Sequence, residues 1–431
     1  MPDSHGSDKQ SAAAPDMAPG RPVGTGNRLV SLDFIRGLAV LGILLANITA
    51  FAHPMLAYHW PSALPDGGTA GDRIVWLAQL VLVDGKFRGL FTILFGAGMY
   101  LFMERAWARG EGLGLQLRRL FFLLIFGIAH SVLLFAGDIL VLYALGGFLA
   151  LPLVECSARR QLALGAVGCV AGGVLTMLAF SSAMMIEQWP DVLAQAAPET
   201  LASLDAQAQA RIDAGEADMA VMTGGSYADI VRYRLAKEAN EAGYLVWLAL
   251  TETVPLMLLG MGLYRVGLFF GGLDTARVRL WASLSLATGL LATLALGLWP
   301  YLQGFPPFLT IFAANGAAAL TSLPTIIGLT LLLGIYGAHA AAGWLGERLV
   351  AAGRMAFSNY VGTSLLMMLV FQGWAGGLFG QLHRIELLLP VVLAWAVMLA
   401  WSKPWLAVFR YGPLEWLWRC LTYGRVFAIR H

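Results

Sequence analysis

LVSLDFIRGLAVLGILLANITAF, residues 29–51, is long and apolar enough to cross a bilayer, yet it carries Asp33, Arg36 and Asn47. A transmembrane helix needs about 20 mostly apolar residues. Asp33 and Arg36 lie one helical turn apart on one face, and Asn47 lies about three turns further along. Ionisable groups inside a bilayer are costly, so they indicate a functional site. The stretch therefore predicts a helix that does more than anchor the chain.

The whole chain has the composition of a membrane protein. Its 431 residues are 58% hydrophobic and 13% charged, whereas a soluble protein has roughly 25% charged residues. About ten stretches satisfy the length criterion for a span. They lie at 29–51, 75–102, 119–136, 139–155, 161–186, 244–264, 279–299, 308–338, 355–372 and 386–402. The predicted fold is an all-α, polytopic integral membrane bundle of about ten transmembrane helices.

Lysine and arginine occur mainly in alternate connections between these stretches, and this bias sets the predicted orientation. They are found at Arg105, Arg109, Arg118, Arg119, Arg159, Arg160, Arg265, Arg277, Arg279, Arg348 and Arg354, and in the tail after residue 402. Because positive loops remain in the cytoplasm, both termini are predicted to be cytoplasmic, in a bacterial inner membrane. The lipid bilayer is the main predicted partner. A net charge of only +2 argues against nucleic-acid binding.

Five segments make up the predicted organisation. They are a disordered cytoplasmic N-terminus (1–27), five transmembrane helices (28–186), an extracytoplasmic amphipathic insert (187–243), five more helices (244–402) and a basic aromatic cytoplasmic tail (403–431). Within the insert, Ser226 is predicted to cap an amphipathic helix. That helix is interpreted as an interfacial segment leading into the sixth span. A lid over an outward cavity is the alternative.

His130 and Asp138 are the main catalytic candidates near the predicted outer face. Histidine is the usual general base near neutral pH, and a carboxylate often orients its ring. The chain turns back at Gly137, so the two side chains can form such a pair. In the alternative interpretation, His130 is a buried structural histidine and Asp138 caps the fourth span.

Lys86 and Arg88 open the second span close to Asp84. Two residues apart on a helix, they point to different faces. One can therefore pair with a carboxylate while the other faces a cavity. Glu252 lies inside the sixth span, where it is costly unless paired. A proton relay and a structural partnership with Lys86 or Arg88 are both open for Glu252.

His53 and His59 lie in a loop rich in proline and aromatic residues. Each is a candidate for catalysis, against the alternative of a solvated loop histidine. No two histidines have the spacing of a metal-binding helix, so no metal is predicted.

At the predicted cytoplasmic end, Arg36 and Arg354 are candidates for binding phosphate groups, which match arginine geometry. Asn359 follows Arg354 on the same segment. Asp33 could instead simply neutralise Arg36, and Arg354 could be an ordinary positive anchor.

Several motifs together resemble the YeiB-like bacterial membrane proteins, which carry a domain of unknown function. They are LDFIRG (32–37), GILLANI (42–48), GKFR (85–88), LFGAG (94–98), GIAH (127–130), GDIL (137–140), GRMA (353–356), NY (359–360) and GPLEWLWR (412–419). The resemblance extends over nearly the whole chain from Arg28 onward.

That family is similar to a wider group of transmembrane acyltransferases, which includes heparan-alpha-glucosaminide N-acetyltransferase. The resemblance implies an acyl-CoA donor (acetyl-CoA) on the cytoplasmic side and a glycan or small-molecule acceptor outside. By position, Asn47 and His59 match an asparagine and a catalytic loop histidine of the heparan enzyme. The YeiB-like motifs contain His130 and Asp138, so the resemblance favours these two over His59 as the catalytic residues.

The leading hypothesis is therefore a membrane acyltransferase. His130 held by Asp138 would be the base, with His59 as competitor, and Lys86 or Arg88 would stabilise the oxyanion. Asp33, Arg36, Arg354 and Asn359 would form the donor site, and a homodimer is included among the predicted assemblies. The alternatives are a small-molecule or ion-coupled transporter using Asp84, Lys86 and Glu252, and a non-enzymatic membrane scaffold. The enzyme hypothesis also predicts that Arg36 and Asn47 line one continuous cavity.

Overall fold

The computed structural model describes residues 25–64 and 67–431, and its regular elements are helices. In the first half they are α1 (Thr25–Ala52), α2 (Met55–His59), α3 (Ala70–Leu82), α4 (Lys86–Trp107), α5 (Leu113–Leu133), α6 (Leu140–Ala150), α7 (Ala158–Gln188), α8 (Pro190–Gln195) and α9 (Pro198–Gly224). Residues 1–24 of the predicted disordered N-terminus lie outside the described residues, and α1 begins at Thr25.

The second half continues with α10 (Tyr227–Leu248), α11 (Val254–Arg265), α12 (Ala276–Leu302), α13 (Pro307–Ile311), α14 (Ala318–Ala340), α15 (Trp344–Arg354), α16 (Ala356–Phe371), α17 (Leu388–Val408) and α18 (Pro413–Tyr423). Two π-helical segments interrupt this series. They are π1 (Ala249–Thr253), between α10 and α11, and π2 (Phe312–Ala317), between α13 and α14. Short 3₁₀ turns occur at Pro61–Ala63, Leu151–Leu153 and Leu268–Phe270.

The all-α polytopic membrane fold is confirmed. Among the described residues, 7 helices are long and apolar enough to cross a membrane, and Leu140–Leu153 and Ala356–Phe371 are shorter apolar helices. The predicted stretches coincide with helices, with one exception at 75–102. There the chain leaves the helix at residues 83–85, and α4 begins after Gly85, whose φ is +74°. The left-handed conformation of Gly85 breaks the run, since only glycine adopts it without strain.

Helix α1 lies at the centre of the bundle and packs against α15, α14, α4 and α16. Its crossing with α15 brings two backbones into direct contact. A Cβ on Gly353 would lie 1.7 Å from the carbonyl oxygen of Asp33, and one on Gly37 would lie 2.0 Å from that of Leu349. Only glycine fits at such a distance, so these two motif glycines bring Arg36 and Arg354 to one end of the bundle.

The insert is helical, and its predicted cap is present. The Ser226 hydroxyl accepts a hydrogen bond from the Asp229 backbone N–H (3.3 Å), and the Asp229 carboxylate accepts one from the Ser226 N–H (3.2 Å). This reciprocal capping box starts α10. Helix α10 continues through π1 into α11, so the insert is joined rigidly to a membrane-spanning helix.

Candidate functional site

A cavity of about 340 Å³ opens among α1, α4, α5, α6, α16 and α18, and we call it the basic cavity. Its polar lining residues are Asp33, Arg36, Arg119, Tyr143, Arg354, Tyr360, Arg410, Tyr411 and Glu415. The rest of its wall is mainly apolar, with Val40, Ile43, Phe91, Leu94, Phe95, Leu123 and Leu140 among its members. Three of the four predicted donor-site residues, Asp33, Arg36 and Arg354, thus line one cavity.

Positive charge exceeds negative charge in this cavity. Arg36 is paired with Asp33, with 3.1 Å between Nη1 and Oδ1. Gly98 makes room for this guanidinium, because a Cβ there would lie 2.9 Å from Nη2 of Arg36. Within the described part of the chain, no carboxylate lies within ion-pair distance of Arg119, Arg354 or Arg410. Three arginines are therefore available to an anion.

Glu415, the other carboxylate in the cavity, is occupied by the start of α16. It accepts hydrogen bonds from the backbone N–H groups of Phe357 (2.7 Å) and Ser358 (3.0 Å). Burial raises the pKa of Glu415 above its ordinary value, and the hydrogen bonds from Ser358 and Phe357 act in the opposite direction. A carboxylate at a helix N-terminus is a favourable arrangement. It fixes the C-terminal tail as one wall of the cavity.

Arg119 is held by aromatic rings rather than by an acid. Its guanidinium carbon lies 4.6 Å from the ring centroid of Trp418 and 4.7 Å from that of Phe102. Cation–π contacts of this kind orient an arginine without neutralising its charge. The tail residue Trp418 therefore presents Arg119 to the cavity.

The predicted pairing of His130 with Asp138 is present. Nδ1 of His130 lies 2.8 Å from Oδ1 of Asp138, although the ring N–H does not point along this line, and the imidazole is 3% exposed. Asp138 also caps α6 by accepting from the Val141 N–H at 2.7 Å, so the predicted pair and the predicted helix cap are both present. Neither side chain lines the basic cavity. Tyr360 connects them to it, with its hydroxyl 3.4 Å from Oδ1 of Asp138.

A second cavity of about 190 Å³ lies toward the other end of α1, and we call it the polar cavity. Its polar lining residues are Asn47, Tyr58, His59, Asp84, Arg88, Thr176, Tyr244, Thr251, Glu252, Asn315 and Ser322. Segments π1 and π2 border it and supply Glu252 and Asn315. Single π-helical turns occur frequently at functional sites. Tyr244, Trp247 and Leu248 show that the end of α10 also closes this cavity, next to the insert.

Arg88 and Glu252 neutralise each other in the polar cavity. Nε and Nη2 of Arg88 lie 3.1 and 2.7 Å from the two carboxylate oxygens of Glu252, a bidentate pair. This confirms a structural partner for Glu252. Lys86, by contrast, is fully buried and its ammonium donates to the carbonyl of Leu80. Lys86 lines neither cavity, so the structure separates the two cations that sequence reasoning treated as equivalent.

His59 and Asn47 both line the polar cavity, and within the described residues His59 Nδ1 and the Asn47 side chain have no hydrogen-bond partner. Burial, and then the charges of Arg384, Arg211 and Arg88, lower the pKa of His59 to about 4. A neutral imidazole and a free amide are therefore available to a ligand here.

His53 and Asn359 belong to the framework. Nε2 of His53 donates to the carbonyl of Leu382 at 2.7 Å. Burial lowers the pKa of His53 to about 4, so its ring is neutral. The Asn359 amide donates to the Ala352 carbonyl and Ser402, away from both cavities. Of the predicted site residues, these two and Lys86 hold helices together.

The sequences of known relatives match almost the whole of this chain. The uncharacterized protein YeiB of Escherichia coli is 31% identical over 418 residues, which cover 92% of this chain and 96% of YeiB. The chain belongs to the YeiB-like family. The uncharacterized protein YxaH of Bacillus subtilis is 28% identical over 413 residues, covering 94% of this chain and 96% of YxaH. A family model described as a protein of unknown function (DUF418) matches residues 263–425. No solved structure matches.

The motifs that resembled the YeiB-like family fall on both cavities. LDFIRG, GRMA and GPLEWLWR supply the basic cavity, whereas the Asn47 motif and GKFR contribute to the polar cavity. The family's GDIL motif lies between them, since Ile139 and Leu140 line the basic cavity and Asp138 caps α6.

In this YeiB-like chain the two cavities are separate, and the prediction of one continuous cavity is wrong. Arg36 lines the basic cavity and Asn47 lines the polar one. Tyr143, which lines the basic cavity, contacts the backbone of Arg88, which lines the polar cavity. The Tyr143 hydroxyl donates to the Arg88 carbonyl (3.2 Å) and accepts from the Thr92 hydroxyl (3.2 Å). We call Tyr143, Thr92 and the stacked ring of Phe91 the partition.

Sequence reasoning missed several residues that line the two cavities. Arg119 was counted only as a positive loop residue, and Arg410 was placed with the basic tail at the cytoplasmic end but given no role. Tyr143 and Asn315 drew no attention, because each is one polar group in an apolar run. The aromatic residues around Arg410 and Arg419 in the tail were the available signal. For π2 the available signal was the dipeptide Asn315-Gly316, because both residues are poor helix formers.

Proposed function

We propose that this protein is a transmembrane acyltransferase. It would take an acyl group, most simply acetyl, from an acyl-CoA in the basic cavity and pass it to a hydroxyl or amine acceptor in the polar cavity. The observation that carries this proposal is the pair of chemically different cavities along one helix, α1, with Tyr143 of the partition in contact with both walls.

The basic cavity has the chemistry of an acyl-CoA site. Arg119, Arg354 and Arg410 offer guanidinium groups without carboxylate partners, and arginine matches phosphate oxygens bidentately. Beyond them the wall is apolar and aromatic, which suits the pantetheine arm and acyl group. If lysine and arginine face the cytoplasm, this end of the bundle faces the cellular pool of acyl-CoA.

The polar cavity supports a base and a site for a neutral acceptor. Arg88 and Glu252 cancel each other's charge, which leaves the His59 imidazole and the Asn47 amide for the ligand. Neutral His59 can take the proton of the acceptor O–H or N–H as that atom attacks the thioester carbonyl carbon. The Asn47 amide can donate to the developing oxyanion. The C–S bond then breaks, and the proton from His59 is returned to the CoA thiolate or to water.

This assignment differs from the leading sequence hypothesis. His130 and Lys86 line neither cavity, whereas His59 and Arg88 line the polar one. Transfer also requires the thioester to meet the acceptor, so the partition must open. Tyr143 is the residue whose rotation would connect the cavities, because its hydroxyl bonds hold it between Thr92 and the Arg88 carbonyl.

The test uses purified protein in vesicles, with ¹⁴C-acetyl-CoA supplied on one side only and a panel of amine and sugar acceptors on the other. The proposal expects label in the acceptor only when acetyl-CoA contacts the arginine-rich end. Sidedness is checked by labelling a cysteine introduced at residue 348. Failure to bind acetyl-CoA at the arginine-rich end, with correctly folded protein, would overturn the proposal.

A transporter is the second candidate, and one observation favours it. Alternating access requires two cavities that open toward opposite ends of a bundle with a closed region between them, and the Arg88–Glu252 pair lies next to Tyr143 of the partition. Solute uptake into vesicles that depends on an ion or proton gradient, without covalent transfer, would support the transporter and contradict the enzyme.

A further inference from the structure

The loop between α16 and α17, residues 372–387, is hydrogen-bonded to the segment that leads to His59. The Gly380 N–H donates to the carbonyl of Ala52 at 2.7 Å. His53 donates in turn to the carbonyl of Leu382. These bonds join two parts of the chain more than 300 residues apart, since His53 and Leu382 are separated by 329 residues. The loop is therefore the support on which α2 rests.

Arg384 makes the closest of these contacts. Its side chain is 2% exposed, and Nη2 donates to the carbonyls of Ala57 (2.6 Å) and Tyr58 (2.9 Å), the two residues before His59. A cation at these carbonyls lies at the C-terminal end of α2, where it is electrostatically favourable. The backbone of Arg384 is fixed as well, because its N–H donates to Asp72 at 2.6 Å.

The same guanidinium is also connected, through Gln79, to Ala46 and Asp84 in two other walls of the polar cavity. Nη1 of Arg384 donates to Oε1 of Gln79 at 3.3 Å. The Gln79 amide then donates to the carbonyl of Ala46 (3.0 Å), next to Asn47, and to Oδ1 of Asp84 (3.2 Å). Asp84 in turn accepts from the Tyr58 hydroxyl at 3.2 Å. One buried arginine thus connects α1, α2, α3 and the turn between α3 and α4 around the cavity.

We infer that Arg384 is a positioning residue that fixes the backbone before His59 and so aims the imidazole into the polar cavity. This inference rests on the proposed role of His59 in acyl transfer. Arg384 touches neither ligand nor reacting atoms. It acts through α2, and no local motif marks it, because it lies in a loop on the far side of the sequence from His59.

The pKa of His59 distinguishes a positioning role of Arg384 from a merely structural one, because it depends on the charge of Arg384. The charged groups acting on His59 are Arg384, Arg211 from α9 and Arg88 from α4, with Arg384 the largest. Each cation disfavours the protonated imidazole. Removing the charge of Arg384 is therefore expected to raise the pKa of His59, in addition to loosening its position.

The test compares Arg384→Gln and Arg384→Lys with a matched control, Arg234→Gln. Arg234 is also buried near this end, and it donates to the Leu133 carbonyl on α5. Histidine-labelled full-length protein in detergent is titrated by NMR, with the His59 signal assigned by its loss in His59→Asn. The kcat and KM for acyl transfer are measured in parallel.

In wild-type protein the His59 pKa is expected near 4, and in Arg384→Gln it should rise only part of the way to the ordinary value, because burial, the largest cause of the low pKa, remains. The kcat should fall by about 100-fold, as for a small misplacement of a catalytic group, with KM for the donor unchanged. Arg384→Lys should keep the low pKa but lose kcat, because an ammonium lacks the planar fork that spans two carbonyls and Gln79. Arg234→Gln should change neither quantity.

An unchanged pKa and kcat in Arg384→Gln would overturn the inference, as would equal changes in Arg234→Gln. If Arg384→Gln does not fold, an unchanged kcat in Arg384→Lys overturns it instead. The NMR titration needs no substrate. Absence of acyl transfer in the wild type would therefore contradict the proposed function, while the titration would still decide whether Arg384 controls His59.

Discussion

The two cavities differ most in how their charges are satisfied. In the basic cavity three arginines have no carboxylate within ion-pair distance among the described residues, and the acid Glu415 is used by a helix end. In the polar cavity the one arginine, Arg88, is matched by Glu252. Arg354 and Arg410 are exposed and Arg119 is half-buried, so all three can form charge-assisted hydrogen bonds with an anion. This difference supports the proposal of an anionic donor in the basic cavity and a neutral acceptor in the polar cavity.

The largest expected effect tests the base in the polar cavity. His59→Ala is expected to lower the rate of acyl transfer by about 10²–10⁴-fold, the contribution of general acid–base catalysis. His130→Ala should leave the rate near that of wild type, because His130 lines neither cavity. The measurement is transfer by folded, purified protein. The reverse result, with His130 essential and His59 dispensable, would move the chemistry to the Tyr360 side of the partition.

The next effect concerns the framework of the basic cavity. Gly353→Ala is expected to reduce the free energy of unfolding by about 1–3 kcal/mol, the usual cost of overpacking, since the new Cβ would meet the Asp33 carbonyl at 1.7 Å. Gly362→Ala on α16 is the control, because a Cβ there meets nothing within 4 Å. Thermal unfolding in detergent measures both. Equal stability of the two variants would contradict the close α1–α15 crossing.

The affinity for acetyl-CoA should depend on the arginines of the basic cavity and not on Arg88 in the polar cavity. Arg410→Gln or Arg354→Gln is expected to weaken acetyl-CoA binding by about 10- to 150-fold, which corresponds to the loss of one charge-assisted hydrogen bond of roughly 1.5–3 kcal/mol. Arg88→Gln should leave that affinity unchanged, because Arg88 lies across the partition. Arg348→Gln, at the same end but bonded to the Trp344 carbonyl, is the second control. Equal losses in all four variants would mean that the arginines act by general charge alone.

The smallest expected effect is the pH dependence of transfer. A base with a pKa of about 4 remains neutral down to pH 5.5, so the rate should stay nearly flat between about pH 8 and pH 5.5. An ordinary histidine, with a pKa near 6.5, would lose about tenfold over that range. A rate profile that falls with a midpoint near pH 6.5 would contradict the neutral, buried His59.

The same shift has a consequence for stability, and its sign is fixed by linkage. The unfolded chain protonates His59 below about pH 6.5, whereas the folded chain does so only near pH 4. The unfolded state therefore binds more protons in this window, and the free energy of unfolding falls as the pH is lowered through it.

Much of this architecture could be predicted because it depends on local patterns. Apolar runs identified the spans, and Ser226 with Asp229 identified the start of α10. Asp33 with Arg36 was predictable because a helix brings residues three apart onto one face. The turn at Gly137 made a pair of His130 and Asp138 one of two open interpretations, and the structure shows the contact. The break at residues 83–85 was missed, because hydropathy averages over a window and does not detect a left-handed glycine.

The sequence alone determined that the chain is a helical membrane protein with ionisable groups at marked positions on α1. Only the tertiary structure decided which of those groups share a cavity. Arg119, Arg354 and Arg410 meet across three distant segments, and Arg384 reaches the carbonyls before His59 from the other end of the chain. Helix periodicity specifies the face on which a side chain lies. The partner of that face is set by the packing of whole helices, which no short stretch of sequence contains.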